Sequence, residues 1–209
     1  MDDEKSTVFV VDDDPSVRSS IERLLRSDGL SVETHASALH YLERYDPTTA
    51  GCLVLDISMP GMSGLELQQA LGGPGAALPI VFLSGCADIA STVQAMKRGA
   101  VEFLTKPVDE PILIDAVHAA IAKDRGDRRY RRELAADHAL VESLTPRELE
   151  VLRCVVGGML NKQTAARLGT VEKTIKVHRA HIMHKLRIKS LADLVRFTSR
   201  VGITSTGER

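Results

Sequence analysis

The chain has 209 residues, of which 44% are hydrophobic and 26% charged, an ordinary composition for a globular protein. Aromatic residues make up only 3% and Trp is absent, which argues against a nucleic-acid site built on stacked bases. No apolar run is long enough to span a membrane, and three widely spaced Cys give neither a disulfide framework nor a zinc motif. Residues 1–4 are acidic and unlike a signal peptide. These features predict a cytoplasmic protein with no membrane partner.

The net charge of -1 conceals an uneven distribution. Residues 1–121 carry a net charge of -10, residues 122–143 one of +1 and residues 144–209 one of +8. This asymmetry indicates two domains with different partners. The acidic part is a candidate for metal binding, and the basic part is a candidate for nucleic-acid binding, because phosphate neutralisation dominates affinity for DNA. For either part alone, a solvated charged surface without a partner is the alternative.

Short apolar strands alternate with amphipathic helices over residues 7–121. The strands are predicted at residues 7–11, 30–34, 52–55, 79–83 and 101–104. The helices are predicted to follow Asp14, Ser37, Ser63 and Asp88 and to begin near Pro111. Five strands alternating with five helices imply an α/β fold with a doubly wound parallel sheet, for which we predict the strand order 2-1-3-4-5.

The rest of the chain has only helical patterns. Residues 122–143 are polar and are predicted to form a charged helical linker that extends the fifth helix. In residues 144–209, the Thr145-Pro146-Arg147-Glu148 stretch is a strong helix start. Further helices are predicted at about 162–168 and 171–186 and after Ser190. A short helix, a turn with Gly169 and a longer basic helix indicate a helix-turn-helix in a small all-α domain.

Polar side chains follow four strands of the predicted sheet, at its carboxyl edge. Asp12 and Asp13 follow the first strand, Asp56 ends the third, Ser84 the fourth and Lys106 the fifth. Close carboxylates cannot all stay ionised without a cation, and oxygen ligands suit Mg²⁺. A carboxylate nucleophile with Mg²⁺, a lysine and a hydroxyl makes a phosphoryl-transfer site that forms an aspartyl phosphate.

These residues resemble the receiver domain of two-component response regulators over about residues 5–122. The motifs are Val10-Val11-Asp12-Asp13, Leu55-Asp56-Ile57-Ser58-Met59-Pro60-Gly61-Met62-Ser63-Gly64, Ser84 and Lys106-Pro107, in that order. The resemblance implies that Asp56 is the phosphoacceptor, assisted by Ser84 and Lys106. It implies Mg²⁺ or Mn²⁺ held by Asp12, Asp13, Asp56 and the backbone carbonyl of Ser58. It also implies a switch pair of Ser84 and Phe103, and a cis Lys106-Pro107 bond.

Some of these residues have simpler alternatives. Phe103 can serve core packing alone, and Asp14 is better explained as a helix cap than as a further ligand. Cys86 is either a redox sensor or, the better interpretation, a small buried side chain. Gly85 stands where the family more often has Ala, and its freedom can loosen this loop and alter dephosphorylation and switching.

On a helical wheel, the 171–186 helix has an apolar and a basic face. The predicted core side consists of Val171, Ile175, Ile182 and Leu186. The outer face carries Lys173, Lys176, Val177, Ala180, His181 and His184. Such a face fits the major groove, because Lys reaches guanine acceptors and Val or Ala contacts a thymine methyl.

Residues around this face have other predicted roles. The candidates for phosphate contacts near helix N-termini are Lys162, Gln163, Thr164 and Thr174. His178 is predicted to pack or to cap, and Arg179 to reach either a phosphate or a neighbouring helix. A solvated cationic face is the alternative for any single lysine.

Residues 144–205 resemble the LuxR-type helix-turn-helix domain. The matching stretches are 144–148, Asn161-Lys162, Ala165, Leu168, Val171, 173–178, Met183, Lys185-Leu186 and Ser190-Leu191. With the receiver, the whole chain resembles the NarL/FixJ class of response regulators, closest to its FixJ-like branch over residues 176–180. The resemblance implies a four-helix domain that binds DNA as a dimer.

The sequence therefore predicts a cytoplasmic transcriptional regulator, more often an activator in this family, that a sensor histidine kinase phosphorylates on Asp56. Phosphorylation is expected to promote homodimerisation, operator binding and action on RNA polymerase. No enzyme activity is expected beyond Mg-dependent self-phosphorylation and slow self-dephosphorylation. One alternative is an aspartate-dependent phosphohydrolase. Such enzymes usually have a second Asp two residues after the nucleophile as the acid/base, and Ser58 stands at that position here, which disfavours this alternative. Another is a dimeric DNA-binding protein independent of phosphorylation.

Overall fold

The computed structural model describes residues 6–72, 78–85 and 89–204. The chain forms two compact units, which divide between Arg128 and Arg129. Cys86 and Asp88, singled out in the sequence, lie outside the described residues. None of the helices in the described ranges is long and apolar enough to cross a membrane.

The first unit is a parallel five-stranded sheet covered by helices. Its strands are β1 (Thr7–Val11), β2 (Ser31–His35), β3 (Gly51–Asp56), β4 (Ile80–Ser84) and β5 (Glu102–Thr105). Its helices are α1 (Pro15–Ser27), α2 (Ala38–Leu42), α3 (Gly64–Ala70), α4 (Ile89–Lys97) and the first part of α5 (Glu110–Glu142). The strand order is β2-β1-β3-β4-β5 with all neighbours parallel, which confirms the predicted topology.

Three strands begin and end one residue later than predicted. They are β2, β4 and β5, which end on His35, Ser84 and Thr105. In these three strands, the apolar residues begin one position before the first residue that pairs with a neighbouring strand. Strand pairing joins backbone groups, so it continues into the polar residue at the strand end. These polar strand ends contribute to the carboxyl edge of the sheet.

The sheet is buried on both faces. One apolar cluster packs its strands against α1 and α5 and includes Val10, Val54 and Leu113. The other cluster lies on the opposite face and includes Leu55 and Phe82. Because both faces are filled, the polar residues of the central strands are confined to the strand ends.

The predicted caps fix where several helices begin. Asp14 accepts hydrogen bonds from the Ser16 and Val17 amides at 2.7 and 3.3 Å and caps α1, as predicted. Ser63 and Glu66 form a reciprocal capping box that starts α3 immediately after the Asp56 loop. Capping therefore positions the helices that follow β1 and β3.

The second unit is entirely helical in its described part. It contains the end of α5, then α6 (Pro146–Val156), α7 (Asn161–Arg167), α8 (Glu172–Lys185) and α9 (Leu191–Arg200). Its core includes Leu152, Ile175, Ile182, Leu194 and Phe197. The short α7 and the longer α8 pack on each other and on α6, which gives the predicted helix-turn-helix arrangement.

The prediction that Val171 lies in the core of this unit was wrong. Val171 is the N-cap of α8 and is 65% exposed, whereas Ile175, Ile182 and Leu186 are buried as predicted. The helical wheel fails at Val171 because its backbone is extended, so its side chain does not follow the helical period. The buried face of α8 therefore starts one turn later than the pattern suggests.

Candidate functional site

Lys106 joins two aspartates at the carboxyl edge of the sheet. Its Nζ donates to Asp12 Oδ2 at 2.6 Å and to Asp56 Oδ1 at 2.8 Å. Asp12 follows β1 and Asp56 ends β3, so the parallel pairing of β1 with β3 brings the two carboxylates to the same edge. The Lys106-Pro107 peptide bond is cis, as predicted. The structure thus assembles an acidic pair with a shared cation.

Both carboxylates are buried. The relative exposure of Asp12 is 1% and that of Asp56 is 4%. Burial raises the pKa of Asp12, although hydrogen bonds from Lys106 and from the Asp14 amide oppose the rise. Burial works to lower the pKa of Lys106, but its hydrogen bonds to the two aspartates outweigh it and the pKa is raised. The lysine is therefore held charged between the two acids.

The backbone around Asp56 closes tightly on the site. Asp56 Oδ2 accepts a hydrogen bond from the Ser58 amide at 3.0 Å. A Cβ on Gly64 would lie 2.3 Å from the Asp56 carbonyl oxygen, so only glycine permits α3 to start here. The loop from Asp56 to α3 is thus fixed by close contacts that orient the carboxylate.

The oxygen atoms present suit a hard divalent cation. Asp12 and Asp56 offer buried carboxylates, and Ser58 offers a backbone carbonyl next to them, a donor set that Mg²⁺ or Mn²⁺ prefers. Asp13 is exposed, and Lys106 pairs with the two buried acids. Across residues 6–72, 78–85 and 89–204, no three Asp, Glu, His or Cys are gathered as a metal site. The predicted ligands therefore fit by chemistry, and Asp13 is the exposed carboxylate among them.

Ser84 and Phe103 lie on neighbouring strands near this site. Ser84 is fully buried at the end of β4, and its carbonyl accepts the Lys106 amide at 2.8 Å. Phe103 is half-buried, and its ring centroid lies 6.4 Å from that of Phe82. Ser84 is thus linked through the backbone to Lys106, while Phe103 packs against the core of the sheet.

The outer face of α8 is exposed along its length. The exposed members are Lys173, Lys176, Val177, Ala180, His181 and His184, and Thr174 is half-buried. Lys162, at the start of α7, is also exposed. Lys176 forms an ion pair with Glu172 at 3.1 Å. The structure therefore gathers the predicted groove-facing residues on one accessible surface.

Thr164 does not belong to this surface. Its side chain is completely buried in α7, so the prediction that it contacts phosphate was wrong. The four-residue spacing from Leu160 to Thr164 and on to Leu168 joins their backbones by hydrogen bonds, and the Thr164 side chain lies on the inner side of this short helix. Gln163 remains exposed, and its side chain accepts the Leu160 amide at 2.8 Å.

His178 and Arg179 occupy the flank of α8. His178 is half-buried, consistent with a packed histidine. Arg179 Nη1 donates to Asn161 Oδ1 of α7 at 2.8 Å, so Arg179 reaches a neighbouring helix, one of its two predicted alternatives. Asn161 was not singled out as a site residue from the sequence. A side-chain contact between two helices leaves no periodic signal, and only the structure reveals it.

A buried acid in the second unit anchors α8. Glu148 Oε2 accepts Lys185 Nζ at 2.7 Å and the Thr145 amide at 2.8 Å. Burial alone would raise the pKa of Glu148, but these hydrogen bonds dominate and lower the pKa to about 2. The capping box of α6 is thereby tied to the last turn of α8, which positions the basic helix.

Comparison with known proteins identifies both units. Residues 8–118 match the response regulator receiver domain family, and residues 142–198 match the bacterial regulatory proteins of the luxR family. The chain is 46% identical to Nodulation protein W of Bradyrhizobium diazoefficiens over 201 residues, 96% of this chain and 88% of that protein. It is 39% identical to the transcriptional regulatory protein FixJ of Azorhizobium caulinodans over 200 residues, 96% of this chain and 95% of FixJ.

The structure is also similar to solved response regulators. It matches the response regulator StyR with a TM-score of 0.83 and 48% identity, over 94% of this chain and 99% of that one. The chain therefore belongs to the response regulators of the NarL/FixJ class, which join a receiver domain to a LuxR-type DNA-binding domain. It is a DNA-binding transcriptional regulator, a class in which activation by phosphorylation is typical.

Proposed function

We propose that Asp56 accepts a phosphoryl group from a sensor histidine kinase and that this modification controls binding of the second unit to operator DNA. One observation carries the proposal: Lys106 Nζ lies within hydrogen-bonding distance of both Asp12 and Asp56. An ammonium group has three N–H donors, and two are engaged by these acids. The third is available for an oxygen of an incoming phosphoryl group.

The proposed reaction is a simple transfer. A carboxylate oxygen of Asp56 attacks the phosphorus of the donor's phosphohistidine and forms a P–O bond. The P–N bond breaks, and its electron pair leaves with the imidazole. Lys106 stabilises the charge on the phosphoryl oxygens during transfer, and the Ser58 amide orients the carboxylate. The same site is proposed to support self-phosphorylation by small donors and slow self-dephosphorylation.

The proposed cofactor is Mg²⁺ or Mn²⁺. Asp12, Asp13, Asp56 and the carbonyl of Ser58 would hold it, and it would neutralise charge on the transferred group. Asp12 contributes a carboxylate that is already buried beside Asp56. Asp13 and Ser58 are exposed residues next to these acids in the chain, so they can join the ligand set from the solvent side.

We assign Ser84 and Phe103 to the switch that follows. A phosphoryl group on Asp56 adds negative charge and hydrogen-bond acceptors beside the end of β4. The Ser84 hydroxyl would turn toward it, and the half-buried Phe103 on β5 would follow. The change is proposed to favour a homodimer, which binds paired half-sites more tightly because the second contact is intramolecular.

We also propose domain limits and partners for the chain. Residues 1–121 would be the receiver, 122–143 a helical linker and 144–209 the DNA-binding domain. The helix α8 would lie in the major groove, with Lys173, Lys176, Val177, Ala180, His181 and His184 toward the bases and Lys162 and Thr174 near phosphates. The protein would act in the cytoplasm, as an activator that works with RNA polymerase.

Labelling by acetyl phosphate tests the phosphorylation site. Asp56→Asn removes the nucleophile and should abolish Mg-dependent incorporation of one phosphoryl group, measured by intact mass. Asp14→Asn is the matched control, because it lies at the same edge and Asn caps a helix as well as Asp does. Undiminished labelling of Asp56→Asn, or equal loss in both variants, would contradict the assignment.

A charge at the centre of the α8 surface tests the DNA contact. Val177 is 48% exposed, so Val177→Glu should fold normally, but it would place a carboxylate against DNA. We expect loss of operator binding with unchanged acetyl phosphate labelling, measured by footprinting and intact mass. Val177→Ala loses only an apolar contact and should weaken binding about tenfold or less. A normal footprint from Val177→Glu would show that this face does not enter the groove.

A further inference from the structure

The side-chain amide of Asn161 has a fixed orientation. Arg179 Nη1 lies 2.8 Å from Asn161 Oδ1 and joins α8 to the first residue of α7. A guanidinium group has only donors, so the amide atom that faces Arg179 must be the oxygen. The Asn161 Nδ2 group is therefore directed away from Arg179.

This amide nitrogen is an accessible donor. Among the described residues, the hydrogen bond that the Asn161 side chain makes is the one from Arg179 to its oxygen. Its nitrogen, Nδ2, is not one of the buried polar atoms that lack a partner. The residue is half-buried, so the amide is held by its surroundings without being covered. Asn161 thus presents two N–H groups toward solvent in a set direction.

Two cationic residues adjoin Asn161, one through a hydrogen bond and one in the chain. Lys162 follows it in the chain and is exposed, and Arg179 adds a guanidinium behind it. Residues 144–209 carry a net charge of +8. A neutral donor held among cations is suited to an anionic acceptor, because a hydrogen bond to a charged oxygen is shorter and stronger than one to a neutral oxygen.

We propose that Asn161 donates a hydrogen bond to a DNA backbone phosphate and that Arg179 is the positioning residue that keeps its amide in this orientation. The inference rests on the proposed DNA-binding function and adds a residue that fixes how the α7–α8 pair sits on the duplex. Phosphate contacts of this kind set the register of a protein on DNA without reading its sequence. The contact should therefore matter on any duplex.

Asn161→Asp separates this role from a purely structural one. The aspartate keeps an oxygen acceptor for Arg179 and gains an ion pair with it, so the helix contact stays and thermal unfolding should not move to lower temperature. It loses the N–H donor and places a negative charge against the phosphate. We expect binding to a fluorescein-labelled random-sequence duplex to weaken about tenfold or more.

The matched control is Ser199→Asp. Ser199 is an exposed residue of α9, a helix that packs on α6, so this variant has the same change in net charge away from Asn161. The full-length variants are compared by fluorescence anisotropy over a range of salt after the same acetyl phosphate treatment. Ser199→Asp should bind close to wild type.

Arg179→Gln tests the positioning role. Glutamine can accept as well as donate, so it no longer dictates which end of the Asn161 amide faces it. The double variant Asn161→Ala/Arg179→Gln should bind no more weakly than Asn161→Ala alone, since both changes act on one contact and neither adds a carboxylate near the phosphate. Additive losses would overturn the positioning role of Arg179.

The outcomes separate this inference from the function on which it rests. If Asn161→Asp binds like wild type or like Ser199→Asp while wild type binds with a steep salt dependence, the phosphate contact is refuted and DNA binding stands. If the wild-type chain itself shows no salt-dependent binding, the proposed function fails, and the inference fails with it.

Discussion

Two aspartates far apart in the chain share one ammonium group in the receiver unit. Lys106 contacts both Asp12 and Asp56, and the second unit uses a similar device where Lys185 contacts the buried Glu148. A buried acid is costly unless a cation or several donors accompany it. In the receiver this pairing leaves Asp56, the proposed nucleophile, beside a cation, whereas around Glu148 the donors complete a helix cap.

Glu148→Gln tests the structural pair. Glutamine still serves the capping box, so the variant removes mainly the charge paired with Lys185. We expect the free energy of unfolding to fall by about 1–2 kcal/mol near neutral pH, since Lys185 is partly exposed. Because the native pKa is about 2 and the ordinary value is 4.5, the charge contributes fully above pH 4.5 and its contribution is lost as pH falls toward 2.

Urea unfolding at several pH values measures this difference. The comparison variant is Glu150→Gln, whose carboxylate forms an exposed pair with Arg147 in the same helix. That variant should change stability by less than about 0.5 kcal/mol. A wild-type advantage over Glu148→Gln that stays constant from neutral pH down to pH 3 would contradict the assigned charge interaction.

At single residues, the sequence predicted chemical type better than environment. The acids, the lysine and the serine at the strand ends follow from the parallel topology, because such strands end at one edge. The exposure of Val171 and the burial of Thr164 did not follow, because each depends on which face of a short segment meets its neighbour. The pairing of Arg179 with Asn161 likewise joins two helices and leaves no repeat in the sequence.

At the scale of elements, α5 is held to the receiver sheet by a buried ion pair. Asp124 is 2% exposed and accepts the Gly51 amide at 2.9 Å and Arg128 Nε at 2.8 Å. Arg128 also donates to the carbonyls of Thr48 and Thr49. This network fixes α5 against the start of β3 at the last residues of the first unit.

Arg128→Ala should destabilise the receiver. It leaves the Asp124 charge buried with the Gly51 amide as its remaining hydrogen-bond donor among the described residues, and we expect a loss of about 3 kcal/mol in the free energy of unfolding. The matched control is Lys123→Ala, which removes a cation from the exposed pair with Asp127 at the same helical spacing. Its expected effect is below about 1 kcal/mol. Hydrogen exchange of the Gly51 amide is measured in the full chain of each variant. Equal protection of this amide in Arg128→Ala and Lys123→Ala would refute the role of the Asp124–Arg128 pair in holding α5.

Element order followed from the sequence more readily than element ends. Alternation of apolar strands and amphipathic helices gave the parallel sheet and its order, and capping residues such as Ser63 and Thr145 gave the starts of α3 and α6. Three strands end one residue later than predicted, because backbone pairing continues past the apolar residues. The anchoring of α5 by Asp124 was missed, although an Asp followed four residues later by Arg is a signal that could have marked it.

For the whole molecule, the uneven charge follows the two family matches: the receiver part is acidic and the LuxR-type part is basic. The acidic unit contains the paired aspartates and Lys106, and the basic unit contains the exposed α8 surface. We propose that phosphorylation of Asp56 links the two units, with dimerisation as the response that raises affinity for paired DNA sites.

Light scattering tests this claim most directly. Molar mass is measured for the full chain with and without Mg²⁺ and beryllofluoride, which mimics the phosphoryl group on Asp56, and again for Asp56→Asn. We expect a shift from monomer toward dimer in the wild-type chain with the mimic and no shift in Asp56→Asn. The same mass in the wild-type chain with and without the mimic, or an equal shift in Asp56→Asn, would contradict it.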